Sequence, residues 1–262
     1  MIRQMVQNHH FFSIQNRDQP CGTIVYIHGL GESGICFDDL VLDAKLSDWN
    51  HVVPDLAGYG RSVWPKESAS LDQHTDLIIE TIRNVEIRPI ILVGHSMGGV
   101  IGQFVCERYP DIVDGFFNVE GNISLQDCTF SSRAARQTSA KFEKSGFDEL
   151  RKWVYLAGLK KPAFRHYYAS LMLAHPGTFH KNSRELVQVS KQEDLAFRLT
   201  QLKTPSCYVA GLNGGAGVRS LELLRKANTD RILLDGAGHW PFIDKRDEFI
   251  DRLVKFTYTS AY

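Results

Sequence analysis

Gly94-His95-Ser96-Met97-Gly98 places one serine between two glycines, directly after the unbroken apolar run Pro89-Ile90-Ile91-Leu92-Val93 and before a segment with helical spacing. A serine on so tight a strand-to-helix turn has strained backbone angles and close neighbours, so the flanking positions must lack side-chain bulk. The turn projects the hydroxyl into a cleft, and the helix beneath offers N–H groups and a positive dipole end to developing negative charge. The chemistry this suits is nucleophilic attack, for which a serine needs a base within hydrogen-bond reach. Asp235-Gly236-Ala237-Gly238-His239-Trp240-Pro241 supplies one, with His239 in a glycine-containing loop between the last predicted strand and the terminal helix. Ser96 is the candidate nucleophile and His239 the candidate base. A chance turn and a helix-capping histidine are the bland alternatives, and neither explains why both residues fall just after strands.

The elements that position these residues alternate. Thr23 to Ile27 reads as a buried strand emptying into His28-Gly29-Leu30-Gly31, and Asn50 to Pro54 as a second strand running into Asp55-Leu56-Ala57-Gly58-Tyr59-Gly60-Arg61-Ser62. Leu71 to Val85 has near-helical apolar spacing, Pro89 to Val93 is a central strand covered on both faces, and Val100 to Tyr109 is a helix stopped by Pro110. Gly115 to Val119 is the next strand, ending at Glu120-Gly121-Asn122. From about Ile123 to Leu202 helical periodicity runs with almost no strand signal. Strands return at Ser206 to Ala210 and Arg231 to Leu234, with helices at Ser220 to Ala227 and Asp244 to Phe256. The pattern predicts an α/β fold, a mainly parallel sheet covered by helices on both faces, with core segments 1–121 and 203–262 interrupted by a helical insertion over 122–202. Ligands in such sheets sit at the carboxyl ends of the strands, where the glycines, Ser96 and His239 all fall.

Composition narrows the function classes. With 262 residues and 43% hydrophobic content the chain is ordinary globular material, which excludes disorder, collagen and coiled coil. Thirty basic residues against thirty acidic ones leave no whole-chain field to draw it to nucleic acid or an anionic membrane. No apolar stretch approaches the roughly 18 residues of a membrane span, and the polar segment Met1 to His10 lacks a secretory apolar core, so a cytoplasmic protein is expected. The five scattered cysteines form no Cys-x-x-Cys pair and read as buried thiols, and the adjacent His9 and His10 lack a carboxylate cluster, so no metal is expected.

Taken together, His28-Gly29-Leu30-Gly31, the D-x-x-G-x-G-x-S run from Asp55 to Ser62, Gly94 to Gly99 and Gly238-His239 resemble the α/β-hydrolases, in family order and over Thr23 to Phe256. The resemblance implies that the insertion is a helical cap. It also implies an oxyanion hole built from the backbone N–H groups of Leu30 and Met97, whose side chains would then shape the pocket. It implies no cofactor.

The third catalytic member departs from the commonest pattern. The turn after Ser206 to Ala210 reads Gly211-Leu212-Asn213-Gly214-Gly215-Ala216-Gly217, without an acid. A minority of the family, haloalkane dehalogenases among them, carries the acid after the strand that follows the nucleophile helix, and here that strand ends in Glu120. The acid must accept from the histidine's other ring nitrogen and stabilise the imidazolium, which constrains distance and not chain position. Asp127 is the rival, Asn213 could orient the histidine without charge, and Glu32 lies too near the oxyanion loop to be attractive. Asp55 to Ser62 reads as a structural turn. The aromatics and bases of the insertion, Trp153, Tyr155, Phe164, Arg165, His166, Tyr167 and Tyr168, read first as helical core, with a substrate cavity as the alternative.

The expected activity is serine hydrolysis of a carboxylic ester with a small or medium acyl chain, through an acyl-enzyme on Ser96. Thioester, lactone, amide and carbon–carbon bond hydrolysis run on the same constellation. A serine nucleophile disfavours dehalogenase and epoxide-hydrolase chemistry. The reading from another class is a ligand-binding sensor that keeps the fold with little turnover. A small-molecule acyl substrate is the expected partner, with no nucleic acid and no membrane, and the sequence leaves the oligomeric state open.

Overall fold

The computed structural model describes residues 2–7, 10–15 and 18–261. Among these residues eight strands, numbered in chain order, form one sheet in the order β1-β2-β4-β3-β5-β6-β7-β8. They are β1 (Ile2–Gln7), β2 (His10–Gln15), β3 (Gly22–Ile27), β4 (Trp49–Asp55), β5 (Ile90–His95), β6 (Gly115–Val119), β7 (Ser206–Gly211) and β8 (Arg231–Leu234). β3 to β8 are mutually parallel, as the unalternated apolar runs predict. β3 through β6 are buried along their whole length, whereas β8 at the sheet edge is mostly only part-buried.

The hairpin of β1 and β2 adds an antiparallel edge through β2 and β4, which the sequence reading did not predict. Its pattern has no clean alternation: Ile2, Met5 and Val6 fall on both parities, and polar residues fill most of the rest. The helix after β4, Leu71–Arg83, starts at Ser70, whose hydroxyl accepts from Gln73 N while the Gln73 side chain accepts from Ser70 N. The helix after β5 runs from Met97 to Arg108, three residues earlier than its apolar spacing suggests, because Ser96 itself stands at the cap position.

Between β6 and β7 the described chain contains no strand. Helices run at Thr129–Ala135, Phe147–Gly158, Pro162–Leu171, Pro176–Ser190 and Leu195–Thr200, two of them opening on proline, whose fixed φ and missing N–H suit a first helical position. Phe142, Phe147 and Phe179 are buried against one another with ring centroids 5.4 to 5.7 Å apart. Burying each such ring contributes about 2–3 kcal/mol, and the block packs in one apolar core continuous with that of the sheet. It seats on the strand-end loops through polar ties. Tyr59 donates to Asn182 Oδ1 at 2.8 Å, Asn182 donates to Ala69 O at 2.9 Å, and Tyr167 donates to Leu30 O at 3.0 Å. Among the described residues no helix is long and apolar enough to cross a membrane.

Candidate active site

Ser96 has φ 53° and ψ −117°, a conformation an L-residue adopts at a cost, and its N–H donates to Val119 O at 2.9 Å. Its glycine neighbours are required by packing. A Cβ at Gly94 would fall 2.4 Å from Gly98 O, and one at Gly98 would fall 2.1 Å from Ile27 O. The turn is thus wedged against the end of β3 and cannot open without moving the sheet.

Glu120 is one strand over. β6 pairs with β5 through His95 and Val119, so Glu120 leaves its strand at the level where Ser96 leaves β5. It too has positive φ, 54°, and its N–H donates to Val209 O at 2.9 Å. The buried carboxylate accepts from Gly211 N on Oε1 at 2.6 Å and meets His239 Nδ1 on Oε2 at 3.3 Å. The glycine-rich turn after β7 has a physical reason to lack bulk here. A Cβ at Gly215 would fall 2.3 Å from Glu120 Oε1, and one at Gly211 2.3 Å from Gly238 O. The space beside β7 is filled by a carboxylate reaching across from β6.

The other candidates for the third position are engaged elsewhere. Asp127 accepts from the backbone N–H groups of Ile123, Ser124 and Gly217 and from the Ser220 hydroxyl, at 2.6 to 3.1 Å. Asn213 accepts from Gly236 N at 2.9 Å. Burial, the strongest single influence on His239, acts to lower its pKa. The hydrogen bond and charge of Glu120 outweigh it, with the charges of Glu32 and Asp127 adding, and hold the ring above its ordinary value.

Leu30 and Met97 sit where the resemblance put them, after β3 and at the start of the Met97–Arg108 helix. Among the described residues no protein acceptor takes the N–H of either, while Tyr167 occupies the Leu30 carbonyl. His28 fastens this loop. Its Nδ1–H donates to Gly29 O at 2.9 Å and its Nε2 accepts from Leu56 N at 3.0 Å, so the ring is neutral, in keeping with a pKa lowered by burial. Asp55 closes the neighbouring turn internally, accepting from Gly34 N and from the backbone and side chain of Arg61.

A second acid–histidine pair lies behind the first, and sequence reasoning missed it. Glu32 shares the small cavity with His239 but spends its hydrogen bonds elsewhere. Its Oε2 accepts from Gly29 N at 2.6 Å and meets His95 Nδ1 at 2.8 Å, and its Oε1 accepts from Trp240 Nε1 at 2.6 Å. His95 Nε2 in turn donates to His239 O at 2.8 Å. Burial, the largest influence, acts to raise the Glu32 pKa. The charge and hydrogen bond of His95, with the donors of Trp240 and Gly29, overcome it and bring the carboxyl down to about 2. Both ring nitrogens of His95 thus face oxygens, one of a carboxylate and one of a carbonyl. Glu32 therefore ties together the loops that carry Leu30, Ser96 and His239. The signal for it was an acid three residues after Gly29, beside a histidine next to Ser96.

Two spaces open beside these residues. A small cavity of about 20 Å³, room for about one water, is lined by Ser96, Leu30, Asn122, Tyr167, Leu186 and His239, among others. A cleft of about 340 Å³ lies on the other flank of His239, between Trp153, Phe164, Lys160, Lys161 and the Gly214-Gly215 turn. Phe130 and Trp240 border both spaces, and Phe130 packs on Tyr167 with centroids 5.1 Å apart. Of the insertion's aromatics, Trp153, Phe164 and Tyr167 thus line space near the site, whereas Tyr155 and Tyr168 pack on each other.

Residues 24–252 match the family model described as the alpha/beta hydrolase family, and the chain belongs to that family. It is a hydrolase by membership. Among curated proteins it is 24% identical to the pimeloyl-[acyl-carrier protein] methyl ester esterase of Shewanella woodyi, over 88% of this chain and 92% of that one. It is 32% identical over 105 residues to the (E)-2-((N-methylformamido)methylene)succinate hydrolase of Acinetobacter baylyi, covering 40% and 38% of the two chains. Among solved structures, a carboxylesterase of Nitrososphaera gargenis superposes with TM-score 0.77 at 16% identity, covering 98% of each chain. An N-acyl homoserine lactonase superposes with TM-score 0.76 at 19% identity, covering 99% of this chain and 97% of that one. At these identities the structural likenesses establish the fold.

Proposed function

We propose that the protein is a serine hydrolase of carboxylic esters, with Ser96 as nucleophile, His239 as general base and acid, Glu120 as the orienting carboxylate, and the N–H groups of Leu30 and Met97 as the oxyanion hole. The observation that carries this reading is the contact between Glu120 Oε2 and His239 Nδ1, made by a buried carboxylate that Gly211 N also fixes, with Ser96 and His239 facing one cavity. In the first half-reaction His239 takes the Ser96 proton as the oxygen attacks the ester carbonyl, and Glu120 stabilises the resulting imidazolium. The two N–H groups receive the charge on the carbonyl oxygen, and His239 returns the proton to the departing alkoxide. Water then enters and loses its proton to His239 as it attacks the acyl carbon, and the acid departs as His239 returns that proton to Ser96 Oγ. The esterase named among the relatives supports an acyl substrate. The helices between β6 and β7 serve as the cap, and the protein acts on a small molecule in the cytoplasm.

Hydrolysis of para-nitrophenyl esters of graded acyl length by the wild type, Ser96→Ala and Glu120→Gln tests the reading. Turnover lost in Ser96→Ala and strongly reduced in Glu120→Gln supports it. A folded wild type that hydrolyses none of these esters, thioesters or lactones overturns it in favour of a ligand-binding role.

A further inference from the structure

The cleft flanking His239 is walled by Trp153, Phe164, Phe130 and Trp240 and carries Lys160 and Lys161. Its three carboxylates are already engaged by protein donors. Glu120 accepts from Gly211 and meets His239, Asp127 accepts from three amides and a hydroxyl, and Asp244 accepts from Gly238 N. Neither lysine forms an ion pair among the described residues, and the Lys161 ammonium stands 5.9 Å from the Phe164 ring centre. Those carboxylates keep their charge near His239, while the cleft offers flat apolar walls and, at its exposed Lys160–Lys161 side, two ammonium groups that no carboxylate pairs among the described residues.

Which half of a substrate enters it follows from the direction of proton transfer. The histidine protonates the leaving oxygen, so the space beside His239 and away from Leu30 belongs to the leaving group. The small cavity bounded by Ser96 and Leu30 belongs to the acyl side; with room for about one water it takes an acyl group only as its lining side chains give way, and acetyl asks the least of them. We infer that the preferred substrate is a short-acyl ester whose leaving group has an aromatic body ending in a carboxylate, the body lying between Trp153, Phe164 and Trp240 and the carboxylate at Lys160 and Lys161. This rests on the ester-hydrolase reading above.

The test compares para-acetoxybenzoate with its neutral isostere para-acetoxybenzamide, for the wild type and a Lys160→Glu/Lys161→Glu double variant. The ratio of their kcat/KM values within each protein is the readout. In low salt the wild type is expected to favour the benzoate about five-fold, the size an exposed ammonium–carboxylate contact supplies. Salt should erode that preference, and the double variant should reverse it. A wild-type ratio at or below one, or one the double variant leaves unmoved, overturns the inference while leaving the ester-hydrolase reading intact. Monomethyl terephthalate puts the carboxylate on the acyl half, and a larger gain there over its neutral amide overturns the assignment of the halves. If the folded wild type hydrolyses neither acetate nor any other ester, the reading of the reaction fails. Calorimetric binding of para-hydroxybenzoate against para-hydroxybenzamide then decides the cleft separately, equal affinity overturning the inference and tighter, lysine-dependent benzoate binding supporting it.

Discussion

Replacing Glu32 by glutamine should cost more than removing any other single carboxylate outside the proposed triad. Glu32 is buried and receives three N–H donors, Gly29 N, His95 Nδ1 and Trp240 Nε1, with the Cys36 thiol more distant at 3.9 Å. An amide offers one oxygen to those donors and turns an NH₂ group toward at least one of them. The size follows from the carboxyl's acidity. A group held at about 2 in the folded protein against an ordinary 4.5 gains about 3 kcal/mol from its surroundings. Because the folded value is depressed, that stabilisation is complete above pH 4.5 and disappears as the pH falls toward 2. Glu32→Gln should therefore unfold at lower urea with an unchanged slope, by about 3 kcal/mol at pH 7, and melt about 6–12 °C earlier. Trp240 donates directly to Glu32, so intrinsic fluorescence follows the transition. The gap between variant and wild type should narrow between pH 4.5 and the acid limit of the folded protein. A loss below about 1 kcal/mol at pH 7, or a gap growing in acid, would refute the argument that an ionised Glu32 holds these loops together.

Glu120→Gln should lower kcat by about 10²- to 10⁴-fold with little change in the melting midpoint, because the imidazolium loses its counter-charge. Glu120 raises the His239 pKa, so the acid limb of the rate–pH profile should move to lower pH in the same variant, and an unmoved limb would remove Glu120 from the triad. Gly215→Ala puts a methyl group 2.3 Å from Glu120 Oε1 and should reproduce a milder form of both effects, read in the same titration. Gly98→Ala drives a methyl group into the carbonyl of Ile27 and should cost at least about 1–3 kcal/mol in a urea melt, since rigid sheet backbone is what must give. Phe130→Ala removes a side chain bordering both the small cavity and the larger cleft, and should raise kcat/KM for longer acyl chains relative to acetyl in a graded ester series.

What could be read from the chain and what could not divides along a physical line. The strand–turn–helix around Ser96 was legible because its constraints are local. Glycines two before and two after the serine are needed for contacts the turn makes with itself and with β3, and an apolar run before it has few other uses. The position of Glu120 was legible by a longer route, since the missing acid after β7 pointed to the strand beside it. The structure supplies the reason for the vacancy in the space Gly215 leaves for Glu120 Oε1. Glu32 was announced only faintly, by its place three residues after Gly29, because its other two partners lie 63 and 208 residues away and each has an ordinary local role. Its nearness to Leu30, which argued against it as the catalytic acid, is what lets one carboxylate hold Gly29, His95 and Trp240 at once. The two lysines of the cleft were silent. Only the placement of the Phe147–Gly158 and Pro162–Leu171 helices, whose junction they occupy, brings them toward His239, and periodicity tells which face of a helix is apolar without telling which loop its end will meet. Local sequence therefore carried the proposed nucleophile, whereas the network around it is a property of the sheet edge, where the loops after β3, β5 and β8, distant in sequence, converge.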